Sequence, residues 1–344
     1  MPLSTLHNFA IRGIASAVPA GVRLAADSCF PAEEALRISA SLGVKERRVA
    51  GRHTCASDLC FAAAERLLGE LNWRRDSVDA LIFVSQTPDH ILPPTACILQ
   101  ERLKLSKRCA AFDVNLGCSG YVYGLWLAGS LIASGAVRRV LLLAGDTITR
   151  LCDPADRSVA LLFGDAGSAT ALEHDPASAP AFFNLGSDGA GAGHLCVSGG
   201  GFRQTAGARA GAGDKHLQMN GAEIFAFTLR EVPAMIRGVL DAAAWPIESA
   251  DAFVFHQANA FLLQHLIKKL KLPPEKVPMA LEKYGNTSVA SIPVAITHGL
   301  RPILTQRPAK LLLAGFGVGL SWGAVAMGAG PLVLADMIEV PEPP

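Results

Sequence analysis

Charge imbalance is missing from this chain: 31 Lys and Arg stand against 30 Asp and Glu in 344 residues. A protein that binds nucleic acid by neutralising phosphates carries a basic excess, so that class is excluded. Charged residues are sparse, at 18%, while half the chain is hydrophobic, which excludes intrinsic disorder. Cysteine pairing motifs are also missing. Eight Cys lie at 29, 55, 60, 97, 109, 118, 152 and 196, with no C-x-x-C pair and no zinc-ribbon spacing, so no metal is expected. Scattered thiols in a chain this long point to a reducing cytoplasm. No apolar run suits a membrane span, because 121–134 and 322–335 are too short or too Gly-rich. No signal peptide is expected, since His7, Asn8 and Arg12 interrupt any apolar core near the start. Glycine (33) and proline (21) are plentiful but aperiodic, which excludes collagen-like and linker-like chains.

What is present is an internal repeat. WRRDSVDALIFV (73–84) and WPIESADAFVFH (245–256) share a Trp, a Ser four residues on, Asp-Ala and an apolar run, at an offset of 172. Leu-Lys-Leu follows each, at 103–105 and 270–272. LGCS (116–119) then matches YGNT (284–287), and VLLLAGD (140–146) matches LLLAGFG (311–317). Four features recurring in one order argue for duplication. The expected domains are residues 1–175 and 176–344, with a Gly-rich loop or cap at about 186–217.

Within each half, buried strands alternate with helices. Strands are expected at 81–85, 110–114, 140–145 and 168–172, then at 252–256 and 310–316. Helical spacing marks 57–71, 95–105, 119–134, 220–243, 259–271 and 288–300. The fold class is α/β, with mixed or mostly parallel sheets flanked by helices.

Four features carry chemistry. Cys118 follows the strand AAFDV and a tight Asn-Leu-Gly turn, at the start of a helix. Unpaired N–H groups and the helix dipole there favour a thiolate. Gly117 and Gly120 allow the sharp turn of a nucleophile elbow. For most cysteines a packed core role is the default, but this setting reverses it. His256 ends the strand AFVFH, where α/β sheets bind ligands, although a hydrogen-bonded structural His fits as well. Asn286 holds the repeat position of Cys118, and a helix cap is its alternative role. Gly315, Gly317 and Gly319 let the loop 314–324 bring backbone amides near a developing oxyanion. One Cys, one His and one Asn gathered by a duplicated fold suggest acyl transfer through a thioester.

On these motifs the chain resembles the thiolase superfamily, and more closely the β-ketoacyl-acyl-carrier-protein synthase III family. The carrying blocks are AFDVNLGCSGYVYGL around Cys118, DRSVALLFGDAGSA (156–169), MNGAEIF (219–225), FHQAN (255–259), YGNTSVASIP (284–293) and GFGVGLSWG (315–323). The resemblance implies a layered α-β-α-β-α fold of two pseudo-twofold halves. It implies an acyltransferase that acylates Cys118 and then condenses the acyl group with malonyl-acyl-carrier protein after loss of CO2. His256 and Asn286 would donate to the thioester carbonyl. Phe316, Gly317, Val318 and Gly319 would form the active-site loop, and Arg157, Gly221, Asn259 and Leu92 the substrate channel, Leu92 reaching across a homodimer. Lys268, Lys269 and Lys271 would meet an acidic carrier protein, or simply form a solvated face. No cofactor is implied; acyl carrier protein and coenzyme A thioesters are the implied partners.

The chain departs from that family at its rim. Arg37 and Ser41 stand where coenzyme A users often have a Trp and an Arg around the adenine. Phe261 and Ala226 replace an expected Arg and Lys. These changes point to a specialised relative with a carrier-bound acyl donor. Two alternatives stay open on the sequence: ester or amide formation without condensation, and a non-catalytic partner subunit.

Overall fold

The run ALIFV forms the strand Ala80–Val84, and all five residues are buried. A strand apolar on both faces requires cover on both faces. The rest of the fold supplies it. The computed structural model describes residues 3–202 and 215–342. Among these residues a seven-stranded sheet runs Val333–Leu334, Phe9–Pro19, Ala166–His174, Arg139–Asp146, Ala80–Val84 and Ala110–Val114, with Ile338–Val340 also paired to Phe9–Pro19. A five-stranded sheet runs Leu3–Leu6, Ala181–Ser187, Ser321–Ala329, Ala309–Gly317 and Ala252–Phe255.

The two sheets share one plan. From Phe9–Pro19 to Ala80–Val84 the pairings are antiparallel, antiparallel and parallel. From Ala181–Ser187 to Ala252–Phe255 they are again antiparallel, antiparallel and parallel. The repeated Asp-Ala segments thus occupy equivalent strands, and so do VLLLAGD and LLLAGFG. The chain ends cross over. Leu3–Leu6 pairs in the five-stranded sheet, whereas Val333–Leu334 and Ile338–Val340 pair in the seven-stranded one.

Helices make the other three layers. Gly120–Ala133 carries no charged residue and has no polar face, so it packs between the two sheets together with Ser291–Gly299. Ala56–Glu70 and Thr95–Arg102 cover the outer face of the first sheet. Gly221–Ala243 and Ala260–Leu270 cover the outer face of the second, burying Phe227, Ile236 and Leu263 among others. Gly167 shows how close these layers sit: a Cβ there would lie 2.5 Å from the Cys60 backbone nitrogen. The result is the α-β-α-β-α layering that the resemblance implies.

Every expected strand and helix exists, with shifted ends. The stretch 288–300 divides into a 3-10 turn Ser288–Ala290 and the helix Ser291–Gly299. Strands Phe9–Pro19, Ala181–Ser187 and Ser321–Ala329 are additional to those read from the sequence. The Gly-rich segment at 186–217 is more than a loop or cap. It holds the 3-10 turn Gly189–His194 and a strand Leu195–Cys196 paired with Gln218–Met219, while 203–214 lie outside the described residues.

Candidate active site

Three chain turns meet at one cavity of about 40 Å³, and each brings one of the expected groups: Cys118, His256 and Asn286 all line it. Cys118 follows the strand Ala110–Val114 and sits two residues before the helix Gly120–Ala133. His256 extends the strand Ala252–Phe255, its backbone N–H donating to the Ala314 carbonyl. Asn286 is pinned by its main chain: its N–H donates to Leu162 O, and its own carbonyl accepts from Gly164 N–H.

The side chains are oriented as well as gathered. Asn286 Oδ1 accepts the Ser288 N–H at 3.0 Å, and Nδ2 donates to Ala258 O at 3.3 Å. Its oxygen is therefore occupied, which leaves the amide nitrogen as the group with donor capacity to spare. His256 Nδ1 lies 2.7 Å from Ser291 Oγ. Phe316 meets the imidazole edge-on, with ring centroids 5.9 Å apart. Gly317 must be glycine here, because its φ is +153° and a Cβ would lie 2.8 Å from the Cys118 sulfur.

Burial sets the protonation of the pair. It pushes the Cys118 thiol up to about 11, against a smaller pull from the Val318 backbone N–H. It pushes the His256 imidazole down to about 3, against a Ser288 backbone hydrogen bond. Both groups are neutral at pH 7. This corrects the expectation of a resting thiolate: a helix N-terminus favours the anion, but loss of water costs the anion more. Alkylation of Cys118 by iodoacetamide should therefore rise with pH from 7 to beyond 10, since the thiolate fraction grows until the pH passes about 11. A rate profile already flat above pH 8 in the free protein contradicts this assignment.

The remaining expected residues divide. Phe316, Gly317 and Asn259 line the cavity, and Asn259 also caps the helix Ala260–Leu270 through Oδ1. Val318 and Gly319 line an adjoining cleft of about 750 Å³, which shares Leu195 with the cavity. Arg157 is exposed and pairs with Glu34 at 2.7 Å. Gly221 opens the helix Gly221–Ala243 and is exposed. Leu92 is 77% exposed, beside Ile91 at 73%. Lys268 and Lys271 are exposed, while the Lys269 ammonium donates to Leu229 O. Arg37 and Ser41 are exposed on the helix Ala32–Leu42. Sequence reasoning missed Ser291, Leu162, Phe163, Leu195, Met219 and Ile224 at the site. Ser291 lies within YGNTSVASIP, but nothing in that run marks it as the imidazole's partner.

The architecture and this site agree with what comparison finds. Residues 112–196 match the family 3-Oxoacyl-[acyl-carrier-protein (ACP)] synthase III, and residues 240–328 match its C-terminal family. A Beta-ketoacyl-[acyl-carrier-protein] synthase III of Desulfitobacterium hafniense (strain Y51) is 36% identical over 287 residues, covering 83% of this chain and 86% of that protein. The chain belongs to the β-ketoacyl-acyl-carrier-protein synthase III family. It is an acyltransferase of the thiolase fold. A Putative 3-oxoacyl-[acyl-carrier-protein] synthase 3 of Campylobacter jejuni is 37% identical over 316 residues, covering 88% of this chain and 87% of that protein. The crystal structure of a 3-oxoacyl-(acyl-carrier protein) synthase from Burkholderia xenovorans LB400 superposes with a TM-score of 0.96 at 47% identity, covering 98% of this chain and 99% of that one.

Proposed function

We propose that this synthase III family member condenses an acyl group held on Cys118 with a malonyl group held on acyl carrier protein. The observation that carries this reading is the single cavity lined by Cys118, His256 and Asn286. In the first step the Cys118 sulfur attacks an acyl thioester. The bond to the departing thiol breaks, and that thiol leaves carrying the proton Cys118 gives up. The amides of Cys118 and Val318 hold the oxyanion. In the second step His256 and Asn286 donate to the malonyl thioester carbonyl. CO2 leaves, and the enolate attacks the acyl group and expels the Cys118 sulfur, which regains a proton. This puts the neutral imidazole proton on Nε2, with Ser291 donating to Nδ1. The thioester supplies the activated acyl group, so no cofactor enters.

The rim supports a carrier-bound acyl donor. Phe261, 54% exposed, stacks on Phe225 with centroids 5.5 Å apart, so the surface next in sequence to the cavity residues Ile224 and Leu262 presents rings where a phosphate-binding rim would present cations. Arg157 is already paired with Glu34. Lys268 and Lys271 remain for an acidic carrier. A homodimer is part of the same reading, for two reasons. Among the described residues the edge strand Ala110–Val114 has one unpaired side. Ile91 and Leu92 are exposed in the loop before the helix that packs on that edge. Sedimentation as a monomer at micromolar concentration removes it. Eight unpaired cysteines suit the cytoplasm, and among the described residues no helix is long and apolar enough to cross a membrane.

The test is intact-mass analysis after incubation with acetyl-coenzyme A and with a panel of acyl carrier thioesters, followed by malonyl carrier and measurement of released CO2. The expected result is faster acylation from carrier than from coenzyme A, then CO2 release with product. Efficient priming by acetyl-coenzyme A at low concentration overturns the donor assignment. Acyl transfer without CO2 overturns condensation.

A further inference from the structure

Ser119 stands at the N-cap of the helix Gly120–Ala133, directly after the nucleophile, yet its side chain does not cap that helix. A serine at this position ordinarily accepts a backbone N–H of the first turn. Here the hydroxyl is turned elsewhere. Ser119 Oγ lies 2.7 Å from Ser321 Oγ, and Ser321 Oγ lies 2.6 Å from the Val318 carbonyl oxygen. The two serines are 0% and 4% exposed, and they come from opposite halves of the sequence. Each hydroxyl has one proton, and a carbonyl oxygen only accepts. Ser321 therefore donates to Val318, and Ser119 donates to Ser321. The bonds run one way, from the residue after Cys118 to the backbone of the Gly-rich loop. Aligned hydroxyls of this kind strengthen one another away from water.

Val318 needs such a tether. Its neighbours Gly317 and Gly319 have φ of +153° and +134°, and glycine torsions resist rotation little. The ladder between Ala309–Gly317 and Ser321–Ala329 ends at the pair Gly317–Ser321, so Val318 lies past its last rung. The residue before it, Gly317, packs against the Cys118 sulfur, where a Cβ would lie 2.8 Å away, and the N–H groups of Val318 and of Cys118 itself both act on that sulfur. We propose that Ser119 and Ser321 are positioning residues, whose hydroxyl chain pins the Val318 carbonyl and so aims the Val318 N–H at the Cys118 sulfur and at the oxyanion formed beside it. The part concerning the oxyanion rests on the acyl-transfer reading above. The part concerning the sulfur does not.

The experiment measures iodoacetamide alkylation of Cys118 against pH, resolved by peptide mapping, together with single-turnover acylation from an acyl carrier thioester. The proteins are the wild type, Ser321→Ala, Ser119→Ala, Ser321→Thr and the double alanine variant. Ser321→Ala is expected to move the alkylation midpoint upward, because the sulfur anion loses an aimed donor. It also slows acylation about 10- to 100-fold, less than outright loss of an oxyanion donor can cost. The donor concentration at half-saturation stays within about twofold, because the lost contact belongs to the transition state. Ser119→Ala shifts both readouts the same way by less. Ser321→Thr restores both. The double variant behaves like Ser321→Ala alone, since one break already cuts the chain. An unchanged alkylation profile in folded Ser321→Ala overturns the proposal, as does a threonine variant that regains thermal stability without regaining the midpoint. If Ser321→Ala does not fold, Ser119→Ala decides by the same midpoint. A wild type that no thioester acylates removes the functional reading instead, and the alkylation results still decide this one.

Discussion

Cys118→Ala is expected to form no acyl-enzyme and to lose condensation by at least about 10⁴-fold, the scale seen when a covalent nucleophile is removed. The loss is this large because no other group at the cavity can take the acyl chain. The remaining lining is apolar apart from His256, Asn259 and Asn286, and none of these is a nucleophile of thiol strength. Cys196, which lines the adjoining cleft, is the thiol to watch. A mass adduct that persists in Cys118→Ala and maps to Cys196 would sink the assignment. Malonyl decarboxylation should survive the same substitution. The donors that stabilise the enolate are an imidazole and a carboxamide, and neither depends on the sulfur for its position. Asn286 is set by Leu162, Gly164, Ser288 and Ala258, and the His256 ring by Ser291 and Phe316.

His256→Ala should split the two steps the other way. Decarboxylation and condensation fall by about 10²–10³, as expected for losing one preorganised donor to a developing oxyanion. Acylation of Cys118 persists, slowed by less than about tenfold, because the Val318 amide and the helix start remain beside the sulfur. The pH dependence follows from burial. A base whose pKa is lowered from 6.5 to about 3 stays neutral at every pH above that value. The decarboxylation rate should therefore show no inflection between pH 5 and 8 that belongs to His256. A rate that drops on acidification through the ordinary imidazole range would mean that the ring is hydrated and ionising. His256→Ala that condenses normally would end the donor assignment.

The parts of this site that were legible beforehand have strong local signals. A strand, a Gly turn and a helix around Cys118 are readable in about ten residues. His256 sits at the end of an apolar run that is itself one arm of the repeat. Asn286 became visible only through that repeat, which placed it opposite Cys118. One strand without a clear sequence signal is made of residues with weak strand preference. SWGAVAMGA is the central strand Ser321–Ala329, and it is rich in Gly and Ala because neighbours crowd it: a Cβ on Gly323 would lie 2.9 Å from the Leu185 side chain. The resting state of Cys118 was misread for a different reason. Its place at a helix start is local, but its burial is a property of the whole packed interior. Ser291 is 35 residues from His256, and Ser119 and Ser321 are 202 apart, so no spacing rule links them.

The crossed ends of the chain bear on how the protein is made. Leu3–Leu6 seals the free side of Ala181–Ser187, and Val333–Leu334 with Ile338–Val340 seals the free side of Phe9–Pro19. While the chain is still emerging from the ribosome, the first sheet lacks an outer border that is synthesised after every other described strand of the two sheets. Leu3–Leu6 is made before its partner Ala181–Ser187 and has to wait for it. Although the gene looks like two copies joined end to end, the polypeptide cannot be divided there into two self-sufficient pieces. Each piece would expose a raw sheet edge that only the other one's tail can close.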